Sequence, residues 1–401
     1  MMLASLKSEF SVIWKFFYNN ALAYLMLYLQ NFLINRYMPT EAIGQFSYCQ
    51  SILTLLVSVY SMEIYSSYLR FMGYTNNQSL IDLIKKVMIV ASALFSISVL
   101  WFFREPGYIL FFGFMWMQER LYFFRSKLQI NLYGQVKIIQ YLLSLLSIGA
   151  LIYYNSLNER TLLICIGLSY VLVAIFYNYY GSKDTCDNTT SLDNVNAKEV
   201  FQYAVPLSFN AIVVWILGAA DQMLIDCYLD NTTLAYYSVA FRIIGIIRIG
   251  SGVILEYWPR FYFERMETKD FHSVKQMQFL FLCFVTLLSL GSMYFADYLY
   301  IILGASAYTN NSWMFFLLAL AEMFRQWGSI GITFQSFKKN TVINISCLSI
   351  LGISKLVFNC MYIDEYGVII LFYSTIACYF LYLLCGLYFG ILRERHYMQS
   401  N

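Results

Sequence analysis

YYSVAFRIIGIIRIGSGVILEYW, residues 236–258, is an apolar run long enough to cross a bilayer, yet it carries Arg242, Arg248 and Glu256. A membrane span needs about 20 predominantly apolar residues. An arginine at bilayer depth costs about 2.5–3.5 kcal/mol on insertion scales, so it persists where it faces a partner, a water-filled cavity or an anionic cargo. This run therefore reads as a membrane helix whose cations point into the protein, the pattern of a pathway rather than of a simple anchor.

The rest of the chain agrees. Of its 401 residues, 60% are hydrophobic, 19% aromatic and only 12% charged, against about 25% charged in an ordinary soluble domain. Twelve runs of span length follow one another, at approximately 12–34, 44–69, 84–103, 108–128, 138–154, 161–180, 201–226, 233–258, 275–296, 312–336, 341–362 and 366–391. Four prolines and long Leu/Ile/Phe/Tyr runs without period-two alternation favour helices over a barrel. The expected fold is an all-α integral membrane protein of about 12 transmembrane helices. Lysines precede the first run with no small-residue cleavage site after it, so that span is expected to be retained.

With the N-terminus placed in the cytoplasm, 18 Lys and Arg fall on inner segments, and only Arg36, Arg104 and Arg160 on outer ones. The positive-inside rule then puts both termini in the cytoplasm of a multi-pass protein, in bacteria the inner membrane. Arg120, Arg242, Arg248, Arg325 and Lys355 remain within spans. The net charge of +3 follows from this topology and points to no nucleic acid. Nine scattered cysteines without a CxxC pair and two histidines suggest no disulfide framework, no metal and no cofactor.

The polar stretch 181–199 divides the spans six and six. We read 1–180 as an N-terminal six-helix lobe, 181–199 as a cytoplasmic linker and 200–401 as a C-terminal six-helix lobe. Residues 19–50 align without a gap on 210–241, with 5 identities in 32 positions, among them Leu33 with Leu224 and Tyr37 with Tyr228. Even-numbered halves run the same way through the membrane, so this is a parallel internal repeat, which places a cargo site where the repeats meet. The carboxylates echo it. Glu63 and Glu256 lie toward the inner ends of spans 2 and 8, and Glu119 and Glu322 lie mid-span in spans 4 and 10.

The stretch FQYAVPLSFNAIVVWILGAADQMLIDCYLDNTTLAYYSVAFRI, residues 201–243, resembles the opening of the second half of bacterial polysaccharide and O-antigen flippases. These belong to the multidrug/oligosaccharidyl-lipid/polysaccharide exporter superfamily. Pro206, Asp221, a short turn, and Tyr237, Ser238 and Ala240 carry the resemblance. In the first half, Arg36, Gly44 and Phe46 in NFLINRYMPTEAIGQFSYCQSI, residues 31–52, look like the equivalent hairpin. Gln222 follows Asp221 where the family often has a basic residue. The resemblance implies passage of an undecaprenyl-diphosphate-linked oligosaccharide from the cytoplasmic to the periplasmic leaflet by alternating access, beside the lipid bilayer and other polysaccharide assembly proteins.

Such a cargo has an anionic head, so Arg242, Arg248 and Lys355, with Arg36, Arg120 and Arg325, are the candidate substrate-binding residues. Arginine suits bidentate phosphate contacts and lysine a point charge. Glu63, Asp221 and Glu256 are the candidate sites for protons or sodium, because a carboxylate in low dielectric has a raised pKa that a cycle can use, and Glu119, beside Arg120, and Glu322, near Arg325, are candidates for cargo binding or for structural ion pairs. The competing reading is ion pairs that only hold spans together. Glu322 and Arg325 share a helical face within pairing reach. Arg242 and Glu256, 14 residues apart, fall on nearly one face of a continuous helix while Arg248 points elsewhere. Asn19, Asn20, Gln30, Asn31 and Asn210 suit either sugar hydroxyls or interhelical hydrogen bonds. The membrane potential offers about 2.3 kcal/mol per charge per 100 mV to outward movement of an anion.

Two other functions compete. A membrane-embedded polysaccharide polymerase or glycosyltransferase would need a large external catalytic loop, and the longest outer connection here is about 15 residues, near Asp297–Asn311. A cation-coupled multidrug antiporter of the same superfamily should carry acidic central residues where this chain has Arg248 and Lys355. The expectation is a transporter without enzymatic activity.

Overall fold

A computed structural model describes residues 2–71, 78–127, 129–181, 196–338 and 340–400. Most of the expected linker 181–199 lies outside them, as do the side chains of Asn19, Asn20 and Glu256. The described chain is helical, with no strand. It divides into two compact units, Met1–Ile212 and Val213–Asn401.

The first unit contains α1 (Met2–Tyr37), α2 (Thr40–Ser61), α3 (Ser67–Phe71), α4 (Gln78–Phe103), α5 (Gly113–Ser126), α6 (Ile130–Tyr153) and α7 (Glu159–Gly181). Helix α8 (Ala197–Gly218) starts in it and ends in the second. The second unit continues with α9 (Ala220–Tyr228), α10 (Asn231–Ile243), α11 (Gly245–Glu267), α12 (Phe271–Tyr294) and α13 (Ala296–Ile302). It closes with α14 (Ser312–Phe337), α15 (Thr341–Tyr366), α16 (Ile369–Cys385) and α17 (Arg393–Ser400).

Among the described residues, nine segments are long and apolar enough to cross a membrane. Three more have comparable length: α1, the composite Pro106–Ser126, and α14, whose apolar character is diluted by Glu322, Arg325 and Gln326. Six membrane-length segments thus precede the linker and six follow it, as the sequence pattern leads one to expect.

The two units use one packing order. In the first, α1 packs on α6, α6 on α7, α7 on α5 and α2 on α4; in the second, α9 packs on α15, α15 on α16, α16 on α14 and α11 on α12. Close approach at the α5/α7 and α14/α16 contacts depends on glycine. A Cβ on Gly113 would meet the Val171 backbone, and one on Gly390 would overlap the Gly331 carbonyl. Small residues at such contacts let backbones approach and gain dispersion where lipid offers no hydrophobic drive. Here Gly386 and Gly390 sit in a π-helical turn, Gly386–Leu392, facing Gly328 and Gly331.

Several spans are less regular than their hydropathy suggests. The expected span 44–69 ends as a helix at Ser61, and Met62 and Glu63 both take the left-handed conformation, with φ of 48° and 51°. Neither is glycine, so each left-handed residue costs on the order of 1 kcal/mol. The expected span 108–128 opens instead as a 3-10 turn, Pro106–Phe112, because Pro106 sits at its first turn. The expected span 201–226 is interrupted at Ala219, between α8 and α9, whereas the run 233–258 passes from α10 to α11 through Ile244 with helical dihedral angles. The outer connection expected near Asp297–Asn311 is itself folded, as α13 and the 3-10 turn Ser306–Asn311.

Two helix starts follow from local chemistry. Asp230 Oδ1 accepts the Thr233 backbone N–H at 2.5 Å at the start of α10, and Asp270 Oδ1 accepts that of Ser273 at 3.3 Å at the start of α12. Each satisfies one of the amide groups a helix leaves unpaired at its N-terminus.

Candidate functional site

Three clusters gather most of the intramembrane charges. In the first unit, Glu119 and Arg120 are neighbours on α5. Successive side chains on a helix diverge, yet the Arg120 guanidinium folds back, and its Nη2 donates to Glu119 Oε1 at 2.5 Å. Tyr68 on α3 donates to the same oxygen at 2.7 Å, and the Phe123 ring lies 4.9 Å from the guanidinium. Glu119 is 0% exposed and Arg120 3%. The cluster is neutral and sealed.

The second cluster bridges the break between α8 and α9. Losing a turn there exposes the Leu217 carbonyl, and Lys355 Nζ on α15 donates to it at 3.0 Å and to Asp221 Oδ2 at 2.7 Å. Tyr237 donates to Asp221 Oδ2 at 3.0 Å and Asn359 to Oδ1 at 3.3 Å, with the Thr375 hydroxyl at 3.5 Å. Lys355 and Asp221 are both fully enclosed. Lys355 was expected to line a cationic cavity; its charge is instead cancelled by a carboxylate 134 residues away.

The third cluster differs in kind. Glu322 on α14 is 1% exposed and accepts Arg325 Nε at 3.0 Å on each oxygen, Gln326 Nε2 at 2.6 Å and Arg248 Nε from α11 at 3.2 Å. The Arg248 guanidinium also stacks 4.3 Å from the Phe241 ring. Two cations share one anion, and both guanidiniums stay partly open, at 33% and 31% side-chain exposure. The group therefore carries a net positive charge.

The second and third clusters border one recess inside the second unit. It is small, with about 10 Å³ of space, room for about one water molecule, and Tyr237, Phe241, Arg248, Glu322, Thr375 and Tyr379 are among its lining residues. Arg248, Arg325 and Lys355 against Asp221 and Glu322 leave one positive charge around it. Such a wall can attract an anionic group through the Arg248 guanidinium, with Tyr379 also on the lining, while the Tyr237 and Thr375 hydroxyls are already committed to Asp221.

The remaining candidates belong to none of these clusters. Arg242 is half-buried in the last turn of α10 and Arg36 is exposed in the last turn of α1. Glu63 is half-buried on the left-handed turn after α2. The common face expected for Arg242 and Glu256 involves a side chain, that of Glu256, outside the described residues. The i,i+3 pair of Glu322 with Arg325 is as the spacing suggests. Sequence reading missed Arg248 with Glu322 and Lys355 with Asp221, and the roles of Tyr68, Tyr237, Asn359 and Thr375. The only signal available was that each buried cation requires an acceptor.

The architecture has close counterparts. An inward-facing multidrug resistance MATE family transporter of the MOP superfamily superposes with a TM-score of 0.72 at 12% identity, over 94% of this chain and 96% of that one. The chain shares its fold. A MATE protein in complex with MaL6 matches with a TM-score of 0.71 at 11% identity, over 97% of each chain. A MOP superfamily transporter from Pyrococcus furiosus, described as having a binding pocket of reverse polarity that suggests a different function, matches with a TM-score of 0.68 at 10% identity, over 96% of this chain and 95% of that one. No protein-family model and no curated protein matches the sequence.

Proposed function

We propose that this chain is a flippase that moves an undecaprenyl-diphosphate-linked oligosaccharide from the cytoplasmic to the periplasmic leaflet of a bacterial inner membrane by alternating access. The observation that carries the reading is the net positive, partly open Arg248–Glu322–Arg325 cluster. A pyrophosphate brings the negative charge this wall lacks, and Arg248 and Arg325 are the residues assigned to it. Fold neighbours solved facing inward and outward support alternating access. The sequence lobes 1–180 and 200–401 are taken as the moving bodies, with both termini cytoplasmic, and Arg36 and Arg242 as cations farther along the path. Arg120 and Lys355 are assigned to holding helices together.

Complementation of a flippase-deficient strain tests this, with surface glycan as readout. Arg248→Ala should lose surface glycan at normal abundance, and Arg248→Lys should retain some. An undiminished glycan ladder in the alanine variant overturns the assignment.

A second reading has its own support. A structural neighbour is a multidrug resistance transporter, and the buried Asp221 offers a carboxylate for proton or sodium coupling. Export of a cationic dye that is lost in Asp221→Asn, with no effect of the chain on surface glycan, would select this antiporter over the flippase.

A further inference from the structure

At the end of α12 the second unit carries an element that the corresponding place in the first unit lacks. In the first, α4 stops at Phe103 and the chain passes through Arg104 and Glu105 straight into the turn at Pro106. Glu105 pairs there with Arg160 at 2.6 Å, and the pair is solvent-facing. In the second, α12 stops at Tyr294 and α13 intervenes. Ala296, Tyr300 and Leu303, spaced i, i+4 and i+7, are buried against the unit.

The opposite face of α13 is apolar and open: Tyr298 is 64% exposed, Ile301 55% and Ile302 67%. It continues a stripe along α12 in which Leu287, Leu290 and Tyr294 are exposed. That stripe belongs to a membrane span, so its occupant is acyl chain, and the α13 face extends it past the end of the span. Asp297, also exposed, lies at the edge of this face.

We propose that α13 is an interfacial helix whose Tyr298, Ile301 and Ile302 seat between the headgroups and upper acyl segments of the lipids at the membrane surface where α12 ends. Apolar helix faces bury about 5–10 Å into that boundary, and tyrosine is favoured at its depth. Asp297 faces water beside it. The inner side of α13 packs on α14 and on the turn Ser306–Asn311, whose Tyr308 meets Tyr236 of α10 at 5.2 Å. Lipid would therefore hold the end of α14, the helix that carries Glu322 and Arg325.

The test uses the full chain in phosphatidylethanolamine/phosphatidylglycerol vesicles. Tyr298→Cys, Ile302→Cys and Asp297→Cys are each labelled with a polarity-sensitive fluorophore, and the labelled wild type gives the native-cysteine background to subtract. At 298 and 302, shallow 5-doxyl lipid should quench more strongly than deep 12-doxyl lipid, and aqueous iodide should have little effect. At 297 iodide should dominate. Iodide quenching at 298 and 302 equal to that at 297 overturns the proposal by placing the face in water. Protection from both quenchers, with emission that changes with the protein-to-lipid ratio, overturns it in favour of a second copy of the chain.

Discussion

In the first unit one buried carboxylate meets one guanidinium; in the second, one meets two. Glu119 and Glu322 lie on α5 and α14, each packed on the last span of its half, α7 and α16. Around Glu119 the charges cancel, Tyr68 supplies a further hydrogen bond and water is excluded. Around Glu322 the charge count is uneven, both cations are partly exposed, and Arg248 lines a recess. A buried ion pair can be neutral or even unfavourable to stability, because desolvation offsets the attraction. The sealed pair reads as structural on that ground, while an unbalanced, partly exposed cluster is useful mainly when a further anion arrives.

The strongest way to break that contrast is to remove each carboxylate in turn. Glu119→Ala leaves a 3%-exposed Arg120 without its counter-ion and should cost about 3–5 kcal/mol. It should be visible as a large drop in thermal stability in detergent and in membrane abundance. Glu322→Ala leaves two guanidiniums that are each about one-third exposed, and should cost clearly less. Equal losses for the two variants would mean that the second cluster is as structural as the first.

The glycine contacts sharpen the comparison at a lower energy. Gly390→Ala forces α14 and the π-helical turn apart, because the new Cβ overlaps the Gly331 carbonyl, and should cost roughly 1–3 kcal/mol. Gly113→Ala, against the Val171 backbone in the first unit, should behave alike. Gly291→Ala in α12 has nothing within 4 Å of the added carbon and serves as control, with an unchanged or slightly raised melting temperature. A tolerated Gly390→Ala would show that the α14/α16 contact has slack that the α5/α7 contact lacks.

How much of this was legible beforehand depends on range. Apolar run lengths and the polar stretch after Tyr180 suffice for an all-helical chain in two halves, because the bilayer admits few alternatives to continuous helix. The Glu322–Arg325 pair is legible because it is local to one helix. Arg248 with Glu322 and Lys355 with Asp221 are 74 and 134 residues apart, and no helical spacing encodes which cation meets which carboxylate across a bundle. The breaks at Met62 and Ala219 were hidden for a different reason. Hydropathy is blind to backbone conformation, and Met62 and Glu63 are not residues that advertise a left-handed turn. The expectation that Lys355 lines a cavity failed because it counted cations without assigning their acceptors.

A smaller effect is expected where the caps titrate. The hydrogen bond from Thr233 holds the Asp230 carboxyl below the usual carboxylate range, and that from Ser273 does the same for Asp270. A pKa depressed in the folded state stabilises above the unfolded value and is lost as pH falls through the folded one. Both contributions should therefore be complete at neutral pH and vanish on acidification below about pH 4. Asp230→Ala should cost about 1 kcal/mol, measured as a melting-temperature difference from wild type that closes as the pH is lowered into that range. A difference that persists unchanged in acid would show that the cap acts through packing rather than through its charge. Either outcome bears on the second unit alone, since both caps begin helices on its side of the linker.

The smallest cost to the fold should come from Arg248→Ala, the substitution with the largest expected effect on transport. Glu322 would keep Arg325 at 3.0 Å on each oxygen and Gln326 at 2.6 Å, so its charge stays neutralised and no buried anion is left unpaired. Arg248 is one-third exposed, so its share of the ion pairing contributes less than that of a fully enclosed guanidinium. The lost stacking on Phe241 adds about 0.5–1 kcal/mol. The two terms overlap, because one guanidinium makes both contacts. Arg120→Ala in the first unit reverses the expectation, since it strips the guanidinium paired with a fully enclosed Glu119. A melting curve for Arg248→Ala nearly superimposable on wild type, beside a collapsed one for Arg120→Ala, would separate a cation kept for cargo from a cation kept for the fold.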